Sequence, residues 1–172
     1  MYFQYPLEAL ARKREATSQL EFAREARRAL RESDDAVFEP IDRGLAMFAA
    51  NEEALEEPTR ILHELYGDQV EVRRPRVRYL PGHPLHEPIM HVRVTAKREW
   101  AGRVLAELRL RGATILEESM RPRDYVVRAE APLSLLLGLP ATLDAITGTE
   151  TPCAIRLARY EPLPPPPGGE AA

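Results

Sequence analysis

One cysteine, Cys153, is all the thiol the chain carries, so no internal disulfide framework can brace it and a reducing compartment suits it. No apolar run reaches the roughly 18 to 20 residues that span a bilayer, which excludes a membrane-spanning helix. The N-terminus, MYFQYPLEALARKRE, lacks a basic stretch followed by an apolar one, so it does not read as a signal peptide. No GxxxxGK[ST] loop occurs, and with it goes that way of cradling a nucleotide triphosphate. Ser119 and Ser134 lie outside any G-x-S-x-G elbow, and no other catalytic set assembles. These absences point to a non-enzymatic, cytoplasmic protein with no cofactor and no membrane partner.

What the chain does hold is ample for a core. Of its 172 residues 44% are hydrophobic and 30% charged, the balance of an ordinary globular protein. The net charge of −3 conceals an asymmetry. Residues 1–71 carry 9 Lys and Arg against 16 Asp and Glu, whereas residues 72–160 carry 15 against 9. Two segments with different partners, or two that attract each other, would have this pattern.

Helix formers without glycine or proline run from Leu7 to Arg31 and predict a long first helix. Ser33-Asp34-Asp35 supplies cap chemistry for a second, Ala36 to Ala50, and Asn51-Glu52-Glu53 for a third ending at Tyr66-Gly67. The expectation is an all-helical region over residues 1–70, then an extended linker over 71–86 rich in proline.

From residue 87 to 163 the periodicity changes. Met90, Val92 and Val94 alternate with polar residues as a strand, and Trp100, Val104, Leu105 and Leu108 share one helix face that Gly112 stops. Thr114–Met120 and DYVVRAEA read as strands around the turn RPRD, Leu133–Ile146 as a broken helix, and Cys153–Tyr160 as a last strand. The order βαββαβ is the split arrangement of ferredoxin-like folds. The fold class expected is therefore α+β: a ferredoxin-like sandwich preceded by a helical region. The tail, 164–172, is proline-rich and expected to be disordered.

EPIM at 87–90, RG at 111–112, VVRAEAPLS at 126–134, Gly138 and YEPLP at 160–164 carry a family resemblance in their order and spacing. Glu87 to Pro164 resembles the C-terminal domain (domain V) of translation elongation factor G and related translational GTPases. The resemblance implies a domain that sits against ribosomal RNA and protein. It does not extend to the first half of the chain. Where the family has a basic, glycine-rich loop this chain has TGTET (147–151), and Asp144 stands where an arginine is usual.

Phosphate contact needs positive charge. Arg73, Arg74, Arg76 and Arg78 on one short extended run, with Arg121 and Arg123 in the RPRD turn, are the candidate nucleic-acid-binding residues. The first four have a second reading, pairing with the acidic first half. Ile89, His91 and Arg93 are expected on the open face of the sheet, without the aromatic pair that stacks bases. His83, His86 and His91 are the only candidates for a metal, opposed by their reading as solvated linker residues. The function expected is a ribosome- or structured-RNA-associated accessory factor. The alternative is an oligomeric interaction module that self-associates through the exposed sheet face, with Ile89 on it, or through the helical region.

Overall fold

In the computed structural model, which describes residues 2–168, the chain divides into two units, one up to Arg78 and one from Tyr79 on. The first is not helical throughout. LEALARK forms strand β1 (Leu7–Lys13), with Leu7, Ala9 and Ala11 buried on one side. Those residues favour helix intrinsically, but they also alternate, and pairing with two neighbours overrides propensity. Helix α1 (Gln19–Ala29) starts only after Ser18, whose hydroxyl accepts the Glu21 N–H, and it buries Phe22, Ala23 and Ala26.

The second expected helix is a hairpin of β2 (Ala36–Ile41) and β3 (Gly44–Ala49). AVFEPI holds β-branched and aromatic residues and a proline that would break a helix. Gly44 has φ of 140°, and a β-carbon there would lie 2.3 Å from the Ala11 carbonyl oxygen, so glycine lets β3 pass against β1. Helix α2 (Glu53–Tyr66) lies where the sequence puts it, with the Asn51 side chain accepting the Ala54 N–H.

The stretch expected to be a linker begins as sheet. β4 (Val70–Val72) and β5 (Arg76–Val77) both pair with β1, interrupted at Arg73-Arg74-Pro75. Proline cannot donate to a ladder, which accounts for the break. The strand order is β2-β3-β1-β4, so β1-α1-β2-β3-α2-β4 is itself a split βαββαβ unit.

The second unit repeats that connectivity: β6 (His86–Lys97), α3 (Ala101–Leu110), β7 (Thr114–Met120), β8 (Asp124–Pro132), α4 (Leu133–Leu136), α5 (Leu139–Thr147) and β9 (Cys153–Pro162), in the order β7-β8-β6-β9. Its core joins Met90, Val92 and Val94 of β6 and Val127 and Ala129 of β8 to Val104 and Leu108 of α3 and Leu143 of α5. Gly138, at φ of 79°, separates α4 from α5. Residues 164–168 have no strand or helix, and the rest of the proline-rich tail lies outside the described residues.

The charge asymmetry also changes meaning. Counted to the boundary after Arg78, the first unit carries 13 Lys and Arg against 16 Asp and Glu, and the remainder 11 against 11. The four arginines that made the second segment look basic belong to the first unit.

Candidate nucleic-acid interface

On β6 and β8 the residues between the core positions face away from the helices, and Arg93 stands directly opposite Arg128. Like charges in that relation repel. Arg128 is relieved by Glu117 on β7, 3.2 Å away, while the Arg93 side chain has no ion pair or hydrogen bond among the described residues. Arg121, from the β7–β8 turn, joins them. With Glu117, Ser119 and Val126 these three arginines line a shallow groove of about 260 Å³. Guanidinium groups are planar, always charged and weakly hydrated, so three around one groove with a serine hydroxyl suit an anion with several oxygens.

Sequence reasoning placed Arg121 among the binding residues, Arg93 only on a sheet face and Arg128 only within the strand DYVVRAEA. The missing signal was register: period-two alternation shows which residues share a face, but not which lie side by side. Arg123, in the same turn, is exposed and lends its carbonyl to the Arg98 N–H without lining the groove. Ile89, expected on the open face for self-association, is only 6% exposed and lies beside a bulge between β6 and β9. Ile89 therefore offers little apolar surface for such a contact.

The run at 73–78 divides. Arg73 and Arg74 are exposed at the break between β4 and β5. Arg76 and Arg78 approach Glu8 on β1 at 3.9 and 3.8 Å, the intramolecular pairing that was the second reading of these arginines. Arg78 also donates to the carbonyls of Tyr2 and Tyr5 at 2.8 and 2.9 Å and lies 4.7 Å from the Phe48 ring centre. It fastens the N-terminal residues to the first sheet.

His83 is exposed in the turn before β6, His86 begins that strand, and His91 lies on its open side. Among the described residues no three His, Cys, Asp or Glu side chains gather as a metal site, so these three are not brought together. The TGTET loop is organised by the residue that departs from the family. Asp144 Oδ1 accepts the Thr151 N–H at 2.7 Å, and the Thr147 and Thr151 hydroxyls lie 2.7 Å apart. This corner is a closed acidic loop without a cation of its own.

Two further groups are fixed by the fold. The Arg111 side chain, at the end of α3, donates to Glu107, to the Leu135 and Leu137 carbonyls, and to the Thr142 hydroxyl. It thereby ties the α4–α5 break to α3. Tyr125 donates to Glu118 at 2.7 Å, and burial together with that carboxylate pushes its phenol pKa well up, so it stays protonated.

Residues 84–169 match the family described as Elongation factor G C-terminus. Among curated proteins, the Danio rerio protein named ribosome-releasing factor 2, mitochondrial, is 31% identical over 77 residues, 45% of this chain and 10% of that protein. Elongation factor G of Fervidobacterium nodosum is 36% identical over 84 residues, 48% of this chain and 12% of the relative. The chain thus spans about a tenth of the length of the curated relatives it matches. A crystal structure from Thermus thermophilus superposes with a TM-score of 0.68 at 16% identity, covering 94% of this chain and 41% of that one, a likeness of fold alone. On the family match over half its length, the chain belongs to the Elongation factor G C-terminus family.

Proposed function

We propose that the protein is a non-catalytic, translation-associated binding factor that contacts ribosomal or other structured RNA through the groove on its second sheet. The observation that carries this reading is the trio of Arg93, Arg121 and Arg128 around Ser119, two of them with no side-chain partner among the described residues. Arg73 and Arg74 supply a second exposed cationic patch on the first unit. Several of the relatives are named for ribosome release or elongation, which gives the RNA its context. Phosphate oxygens would take the guanidinium forks, and the lack of aromatic residues along the groove favours backbone over base contact.

Co-sedimentation with purified ribosomes across a salt series tests this. Pelleting at low salt that falls steeply as salt rises, and that is lost in the Arg93→Ala/Arg121→Ala double variant, is the expected result. Pelleting that ignores salt, or that survives in the double variant, rejects the groove as the contact.

A further inference from the structure

The outer edges of the two sheets are finished differently. On β2 the outward peptide groups of Ala36 and Phe38 are all engaged. The Ala36 N–H donates to the Ser33 hydroxyl, and the Ala36 carbonyl accepts the Ser33 N–H. The Phe38 N–H donates to Glu32 at 3.3 Å, and the Phe38 carbonyl accepts from Arg27 at 3.1 Å. Pro40 has no N–H to offer. Natural sheets blunt edges in such ways because an open edge is a template for another strand.

β7, at the edge of the second sheet, has no such cover among the described residues. The Arg121 N–H bonds the Asp124 carbonyl at 2.8 Å and closes the turn, so the alternation of an antiparallel ladder makes Ser119–Val126 and Glu117–Arg128 the bonded pairs. The N–H and C=O of Glu118 and Met120 therefore face outward. The strand contains neither proline nor a basic residue. Met120 and the bulged residue Leu116 are 53% and 51% exposed.

We propose that this edge is the contact surface for a second copy of the chain, β7 pairing antiparallel with the partner's β7 about a two-fold axis at Ser119 and making one continuous eight-stranded sheet. The register follows from what must meet. Outward groups have to face outward groups, which allows Glu118 opposite the partner's Met120, or Glu118 opposite the partner's Glu118; Met120 opposite its own mate would set Glu118 against the partner's Pro122, which has no N–H to give. The second choice sets two carboxylates against each other at the axis, a repulsive pair. The first places the small Ser119 on the axis and Glu117 opposite the partner's Arg121, on the same face of the sheet and twice by symmetry. Two ion pairs and two covered Met120 side chains then close the seam. The contact is short, so the dimer is concentration-dependent rather than permanent. The pairing requires no RNA, but it engages Arg121 and Glu117, which also line the groove proposed above, so dimer and RNA compete for the Arg121 side chain.

Across such a seam Ser119 and its symmetry mate form a non-hydrogen-bonded pair, with α-carbons about 4.5 Å apart, inside the range a disulfide accepts. The first test is therefore Ser119→Cys in the full chain with Cys153→Ala, oxidised mildly, beside a Glu117→Cys control in the same background. Most of the Ser119→Cys chain is expected to become disulfide-linked dimer, and several-fold less of the control. Equal cross-linking of both, or none of either, overturns the register. The second test is sedimentation equilibrium. Arg121→Glu is expected to weaken self-association about tenfold, and the double swap Glu117→Arg/Arg121→Glu to restore it. A chain that stays monomeric at every concentration, or a dimer indifferent to Arg121→Glu, overturns the proposal itself.

Discussion

Glu87 opens the family's EPIM stretch and stands directly opposite Glu161 across the β6–β9 ladder. Burial and the nearby Glu161 raise its carboxyl pKa above the ordinary carboxylate value. An acid with a raised folded pKa binds its proton more tightly when folded, so the folded state loses stability as pH rises through that range. Glu87→Gln should therefore stabilise the protein at neutral pH, by roughly 0.2–1 kcal/mol for a relieved cross-strand repulsion. The gain should vanish below the ordinary carboxylate pKa, where glutamine and protonated glutamate are near equivalents. Melting temperatures of the two proteins at pH 3 and pH 7 check both the sign and the disappearance. Arg111 makes the opposite kind of case. Arg111→Ala leaves two carbonyls, a hydroxyl and Glu107 without their donor. About 2–3 kcal/mol should be lost in urea unfolding, and Arg111→Lys should recover only part, because an ammonium cannot fork to four acceptors. The RG pair was visible in the sequence as a helix end. That its arginine reaches 26 residues ahead, to Leu137, was not, because such reach is set by tertiary packing.

At the scale of elements, the second unit was legible and the first largely was not. Val-rich β6 and β8 alternate over a long stretch, and the glycine that stops α3 stands where a left-handed residue is needed. In the first unit β1 is built mainly from alanine, leucine and glutamate, so propensity and pairing pointed in opposite directions there. β1 sits between β3 and β4 in the sheet, and its backbone bonds are what settled the matter. Pro40 and Gly44 were the local clues, since neither suits the interior of a helix. The cover on β2 yields its own expectation. Arg27→Ala/Glu32→Ala should leave the Phe38 peptide groups unpartnered and the edge open, with little change in the sheet's interior. The expected outcome is a loss of about 1–2 kcal/mol and faster light-scattering growth on mild heating, both read against the unaltered protein. An unchanged aggregation rate would mean that Pro40 and the Ser33 cover of Ala36 suffice to blunt the edge.

For the molecule as a whole, net charge is a poor guide to RNA affinity, since −3 overall coexists with a local trio of arginines. Counterion release counts contacts and not net charge. Each phosphate contact removed by mutation should flatten the log–log salt dependence of ribosome binding by about 0.9 where the RNA is double-stranded, so the Arg93→Ala/Arg121→Ala variant should lose close to twice that. Removing Arg73 and Arg74 in the same assay tells whether the first unit takes part. The shared β2-β3-β1-β4 and β7-β8-β6-β9 order has a consequence for how the chain is made. During synthesis β6 and β8 emerge into the presence of an earlier unit's strands of the same connectivity, the situation in which tandem domains trap one another in crossed pairings. The two sheets are protected by unlike volumes. β1 and β3 present Leu7, Ala9, Ala11, Leu45, Met47 and Ala49 to their core where β6 and β8 present Met90, Val92, Val94, Val127, Ala129 and Ala131, so a crossed sheet would bring together side chains of unmatched volume. Divergence of the two cores thus acts as an address label, letting each half of the nascent chain find itself.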